Sequence, residues 1–239
     1  GNYDSTKITV RQLLAHTSGL FDYADSTDFQ QQIIEQPNKI WTREQQIQMA
    51  MEVGKPYGEP GEVYRYSDTG YILLGEIIEF ITQQKLGVAV RQLLRFNKIG
   101  LNHAWWEGQE PAPENILRMC HQYLGDQDMT NNDPSFDTHG GGGLAATVED
   151  MATFMRALFH HQVFNHKATL ETMLSKVPSM RGGPNAYRNT EQVPGSYYLG
   201  IETIENGVYG HAGFLGTRCV HMVDKDITFA FSVNQHRTD

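Results

Sequence analysis

The sequence predicts an α+β fold with helices first and strands last. Two observations carry this. Over the first two thirds of the chain, apolar residues recur at helical spacing behind capping residues. The last third instead holds four short runs rich in Val, Ile, Phe and Tyr, at 197–204, 208–211, 215–223 and 227–234. Glu205-Asn206-Gly207 and Asp224-Lys225-Asp226 separate them as turns, and such close spacing implies an antiparallel meander rather than parallel βαβ units. With no internal repeat or low-complexity linker, the expectation is a single domain over 1–239. Helices and loops fill 1–190 and antiparallel strands 191–239.

The helices follow in order. Thr9 with Gln12 has capping-box spacing and opens a short helix with Val10, Leu13 and Leu14 on its apolar face and Gly19 as a left-handed stop. Phe29, Ile33 and Ile34 mark a second helix that ends near Pro37. Thr42 with Gln45 repeats the box and opens a third, through Ile47, Ala50 and Met51 to Gly54. After the Pro/Gly-rich stretch Lys55–Gly61 comes a long amphipathic run with Tyr71, Leu74, Ile77, Ile78 and Ile81 on one face, then a helix through Val90, Leu93 and Leu94. From Asn97 to His139 the periodicity fails, apart from one short element at 116–123. Long irregular segments of this kind often line or cover a site. Gly140–Gly143 lacks the Lys-Ser/Thr of a phosphate loop, so close backbone packing is expected there. Thr147 with Asp150 opens a helix carrying Met151, Phe154, Met155 and Leu158, and Leu170, Met173 and Leu174 suggest one more.

Composition excludes several function classes. The chain has 239 residues, 39% apolar and 20% charged, as in an ordered globular protein. A net charge of −9 argues against general affinity for nucleic acid or anionic membranes. No stretch approaches the roughly 20 apolar residues that span a bilayer. Cys120 and Cys219 form no framework or metal motif and are expected to be buried free thiols. His160, His161 and His166 raise a metal reading, but no His-Glu-x-x-His accompanies them and adjacent histidines diverge on a helix, so no metal or other cofactor is expected.

Tyr66-Ser67-Asp68 stands where the Pro/Gly loop meets the long helix. Ser67 is an N-cap candidate whose hydroxyl would take an orphan N–H, and the helix end adds positive potential. A phenol there, beside a carboxylate, is placed to do chemistry, although a half-buried tyrosine and an ordinary cap would look the same. Phenols titrate near ~10, so a tyrosine base needs nearby positive charge; otherwise it relays protons while neutral.

Several separated stretches resemble one family. Ile8–Leu20 (ITVRQLLAHTSGL) is similar to a stretch of β-lactamase-like serine hydrolases. Tyr66-Ser67-Asp68 followed by Thr69–Gly75 resembles their Tyr-x-Asn motif and its helix. His211-Ala212-Gly213 resembles their Lys/His-x-Gly strand, and Gly142–Asp150 their GGLxST-x-x-D helix entry, with Ala146 where Ser is usual. The resemblance covers nearly the whole chain. It implies a β-lactamase-like fold, an antiparallel sheet flanked by helices beside a helical region. It also implies acyl transfer through a serine ester on a β-lactam, D-peptide or ester substrate. Tyr66, Asp68 and His211 would be the catalytic residues. Ser67, Ala212, Gly213 and Phe214 would contact substrate, with the Phe214 N–H as an oxyanion donor. His211 would bond a substrate carboxylate or leaving group, or else serve as a structural histidine at a strand end. Family members are commonly exported, which makes periplasmic or extracellular placement the expectation.

The sequence departs from the family in two ways. No Ser is followed three residues later by Lys, and there is no Gly-x-Ser-x-Gly elbow. The chain opens on Gly1 and stops at Asp239 straight after a strand, so truncation at both ends relative to the family is expected, and with it exposed apolar strands and self-association. Asp68 also stands where Asn is usual. Ionised, it accepts hydrogen bonds but cannot donate them, which weakens the case for β-lactam hydrolysis and leaves peptidase or esterase activity open. The alternative is a non-catalytic relative that binds peptidoglycan-like peptides or a partner protein.

Overall fold

Residues 3–116, 119–175, 181–182, 197–205 and 207–236 are described in the computed structural model. Caps set the start of most helices. Thr9 accepts the Gln12 N–H, the Gln12 side chain takes the Thr9 N–H, and α1 follows over Val10–Leu14. Ser26 caps α2 (Thr27–Glu35), and the second reciprocal box, Thr42 with Gln45, opens α3 (Arg43–Val53). Then come α4 (Asp68–Thr82), α5 (Leu86–Leu93) and α6 (Phe96–Ile99). Thr147 accepts the Asp150 N–H to start α7 (Val148–Phe159), and α8 spans Lys167–Met173.

Six two-residue strands stitch the loops: β1 (Val63–Tyr64), β2 (Trp105–Trp106), β3 (Tyr123–Leu124), β4 (Gln127–Asp128), β5 (Leu144–Ala145) and β6 (Arg181–Gly182). The main sheet is the expected meander, with β7 (Glu202–Glu205), β8 (Val208–Ala212), β9 (Thr217–Met222) and β10 (Ile227–Ser232) antiparallel in the order β10-β9-β8-β7. The last strand, β11 (Gln235–His236), leaves that sheet and pairs parallel with β3, which carries His236 to the loop side.

Among the described residues two larger apolar cores stand beside two smaller ones, around Leu13 and around Phe96. Met155, Ala157 and Leu158 of α7 bury against Tyr198, Ile201 and Cys219 beneath the sheet. Tyr23, Phe29, Ile33, Trp41, Ala50, Ile72 and Met129 form the other larger core, under the long loops. Gly140 shows the close packing expected of the glycine run. It sits at φ +134°, and a Cβ there would fall 2.4 Å from the Tyr71 carbonyl oxygen.

Several expectations are corrected. Val10 is 50% exposed, because the five-residue α1 buries only Leu13. Gly19 does not end α1; His16 does, as set out below. The expected face of α4 is wrong along its second half. Its buried residues all lie within 69–75 and include Ile72, while Ile81 is 73% exposed. Leu93 is exposed on α5, and Cys120 is an exposed thiol. Residues 117–118 of the element expected at 116–123 and Asn206 of the expected turn lie outside the described residues. Among the described residues no three side chains are grouped to hold a metal ion, and no helix is long and apolar enough to cross a membrane.

Candidate active site

The tyrosine loop is held from the end of α1. There the chain turns through a Schellman motif with His16 at φ +54°. The His16 N–H donates to the Leu13 carbonyl and the Thr17 N–H to that of Gln12, at 3.2 and 2.9 Å. Such a position normally takes Gly or Asn. Histidine holds it here because both its backbone and its ring are engaged. Its carbonyl accepts the Arg65 N–H at 2.9 Å, and its Nδ1 accepts the Ser67 N–H at 3.1 Å. The ring stacks on Tyr66 with centroids 3.9 Å apart and on Tyr71 at 4.9 Å. Tyr66 is therefore gripped on both chain neighbours and on its own face. Since Nδ1 accepts, the proton sits on Nε2, which is buried with no partner among the described residues. Burial, then the nearby His211, hold His16 well below the usual imidazole pKa, so the ring is neutral.

Ser67 occupies the N-cap position of α4 but makes no side-chain cap bond. Its Oγ donates instead to the Phe21 carbonyl, at 3.4 Å, and the residue is 2% exposed. It sits between Tyr66 and Asp68, which line the site, without lining it itself, and the expected hydroxyl cap is not made. The backbone bond to His16 sets the direction of Ser67 and turns its hydroxyl away from the helix end.

A cavity of about 640 Å³ is lined by Tyr66, Asp68, His211, Ala212, Gly213 and Phe214, six of the seven residues singled out from sequence. The Tyr66 and His211 rings come within 6.3 Å of each other across it. One wall is apolar, from Tyr23, Phe29, Ile33 and Phe136, and another holds Asp137 and Gly141–Gly142. Gly213 is needed for close packing, since a Cβ there would fall 2.0 Å from Thr217 Oγ1. Phe214 stacks on His236 at 4.9 Å. His211 is doubly engaged, with Nδ1 2.7 Å from the Ala212 carbonyl oxygen and Nε2 3.0 Å from Tyr197 Oη. Nδ1–H thus donates to Ala212 and Nε2 accepts from Tyr197. Sequence reasoning passed over Tyr197, a tyrosine in an expected strand with no motif around it. It passed over Asp22 and Asp137 for the same reason.

The field around Tyr66 is acidic. Burial first, then Asp68, Tyr71, Asp22 and Asp137, push its phenol well above the ordinary value. Asp22 is itself pushed well up by burial, Asp68 and Asp25, although it accepts the N–H groups of Ala24 and Asp68. Burial, Asp22 and Glu107 push Asp137 up to about 7. Among the described residues no Lys or Arg lines this cavity, and Arg65, which lines the adjoining pocket sharing Tyr66 and Asp68, is paired with Asp25 at 2.6 Å. As the site stands, the Tyr66 phenol is neutral; a cation beside it would move it toward phenolate.

The Beta-lactamase family model matches residues 1–239. Penicillin-binding protein 4* of Bacillus subtilis is 29% identical over 190 residues, covering 71% of this chain and 39% of that protein. The structure of a D-stereospecific amidohydrolase from Streptomyces sp. superposes with a TM-score of 0.78 at 26% identity, over 98% of this chain and 69% of that one. D-amino acid amidase from Ochrobactrum anthropi SV3, complexed with L-phenylalanine amide, shares the fold with a TM-score of 0.77 at 23% identity, covering 96% of this chain and 65% of that one.

The neutral, buried state of His16 predicts an acid-side loss of stability. With its folded pKa depressed, the unfolded chain binds the proton more readily, so the contribution is full above the unfolded pKa and falls as pH drops below it. Urea unfolding of the wild type should lose up to about 1.4 kcal/mol per pH unit from this group below pH ~6.5. His16→Asn, which tolerates the same backbone, should be less stable overall but lack that component. An identical pH slope in the two proteins would show that His16 is not held neutral.

Proposed function

We propose that this chain, which belongs to the beta-lactamase family, carries the tyrosine and strand-edge parts of a serine acyl-transfer site that acts on amides or esters of small acyl donors. The observation that carries this is the meeting of Tyr66 and His211–Phe214, distant in sequence, on one cavity of ligand size. Tyr66 relays a proton to or from the nucleophile and leaving group, and Asp68 accepts a hydrogen bond from whichever of them is protonated. The Phe214 N–H supplies an oxyanion donor at the strand edge beside Gly213. The 239 residues contain no Ser-x-x-Lys, so on this reading the nucleophile and a lysine reach the site from outside them. That lysine would be the missing cation beside Tyr66. The named substrates of the solved relatives, D-amino acid amides among them, favour an amide-type donor. One observation favours a second reading: the same lack of Ser-x-x-Lys leaves a peptide-binding, non-catalytic protein consistent with the cavity.

Fluorophosphonate and fluorescent penicillin probes should leave the intact mass of this chain unchanged. With a Ser-x-x-Lys segment from a relative fused ahead of it, a test ester should turn over, and Tyr66→Phe should lower kcat/KM by about 10²-fold or more. An adduct on a serine of the unfused chain would place the nucleophile within these residues. A fused protein that binds but never turns over would favour the binding reading.

We also propose self-association through β10. Ile227, Phe229 and Phe231 alternate onto one face of this edge strand and are 48, 41 and 44% exposed, and Val233 just beyond its end is 63% exposed. Sedimentation equilibrium should show association that the double change Phe229→Lys, Phe231→Lys abolishes. A concentration-independent monomer would refute it.

A further inference from the structure

The acidic wall of the cavity has a second consequence, which rests on reading the cavity as the acyl-donor site. Asp137 follows the 3-10 turn Pro134–Phe136. Its N–H donates to the Pro134 carbonyl, and its own carbonyl accepts the Gly142 N–H. Its carboxyl lies flush on the glycine run. A Cβ at Gly142 would fall 2.1 Å from Asp137 Oδ2. One at Gly141 would fall 3.0 Å from Asp137 Oδ1 and 3.4 Å from Asp68 Cγ. The two carboxyl groups thus flank the bare backbone of Gly141 on the cavity wall. Three arginines elsewhere in the fold are already committed. Arg65 pairs with Asp25 at 2.6 Å, Arg43 with Glu79 at 2.6 Å and Arg156 with Asp226 at 2.7 Å. Asp137 has no ion pair of its own among the described residues, and a part-buried carboxylate without a counter-ion is costly. The lining also carries the apolar Phe29, Ile33, Ile34 and Leu124, with Gln30 and Asp126 among them.

We infer that Asp137 is a specificity-determining residue that pairs with a substrate ammonium group, so that the cavity selects acyl donors with a free amine and an apolar side chain. The bare glycine backbone lets the Asp137 carboxyl pack against it and still line the cavity, where an ammonium can reach it, and the apolar residues of the lining take the side chain. The acyl carbon is thereby presented toward Tyr66 and the Gly213–Phe214 edge. Binding a cation also favours the ionised form of a carboxyl that burial and its acidic neighbours hold near neutral pH.

The test is ligand binding by the chain itself, which needs no nucleophile. D-phenylalaninamide and its N-acetyl derivative are titrated near neutral pH and followed by amide NMR shifts of Gly141, Gly142 and Gly213. The free amine should bind about tenfold or more tighter than the acetylated compound, as for a charge-assisted hydrogen bond. Asp137→Asn should erase that preference while the acetylated compound, which reports an intact cavity, binds as before. Asp137→Ser, which shrinks the side chain instead of replacing it, is read the same way if the first variant does not fold. Equal binding of the two compounds by the wild type, or a preference that survives in the variants, overturns the inference and leaves the acyl-donor reading standing. Failure of both compounds to bind the wild type overturns both.

Discussion

His16 turns the chain at the end of α1 through a positive φ and delivers its ring to the tyrosine loop. The two roles depend on each other. The left-handed backbone costs free energy for a residue with a Cβ, and the Arg65, Ser67, Tyr66 and Tyr71 contacts of the same residue offset it. Because the backbone bonds fall on the residues either side of Tyr66, the phenol is positioned by the chain's own ladder and not by its side-chain packing alone. The start of α4 follows from this. Ser67 is oriented by its N–H to His16, Thr69 Oγ1 accepts the Tyr23 N–H at 3.0 Å, and Tyr71 Oη donates to the Leu14 carbonyl at 2.9 Å. One turn of α4 is thereby tied to α1 on one side and to the loop bearing Asp22 on the other.

That arrangement brings acid to the tyrosine without bringing base. Asp22, Asp68 and Asp137 all raise the Tyr66 phenol, and the imidazole beneath it is neutral. Such a site holds its proton until a cation enters. The two cations proposed act at different groups, a lysine at the Tyr66 phenol and a substrate ammonium at the Asp137 carboxylate. On those proposals, the chemistry would draw positive charge from a nucleophile-bearing segment and selectivity would draw it from the ligand.

Local rules were legible in the sequence and tertiary ones were not. Both capping boxes form as read, because a threonine and a glutamine three residues apart can satisfy each other without help from the rest of the fold. The meander was legible because its turns are short and chemically marked. His16 was not, because nothing local asks a histidine to take a positive φ; its partners are Arg65, Ser67 and four tyrosines brought in by the fold. The face of α4 failed for a related reason. Helical spacing defines a stripe but not how far along it neighbours reach, and Phe80 and Ile81 lie beyond the stretch that is covered. The motif residues of the site could be picked out because they lie in short recognisable strings. Asp22, Asp137 and Tyr197 could not, since they enter the site from loops and a strand end with no spacing to announce them.

The central claim is that a neutral His16, protonated on Nε2 and accepting at Nδ1, holds the Tyr66 loop. Its most direct measurement is the ¹⁵N NMR spectrum of the histidine side chains with His16 assigned. The account predicts one His16 tautomer, with an Nε2–H in slow exchange with solvent, an Nδ1 shifted as a hydrogen-bond acceptor, and a through-bond coupling from Nδ1 to the Ser67 amide. A His16 ring that carries its proton on Nδ1, or averages between tautomers like an exposed histidine, would contradict it.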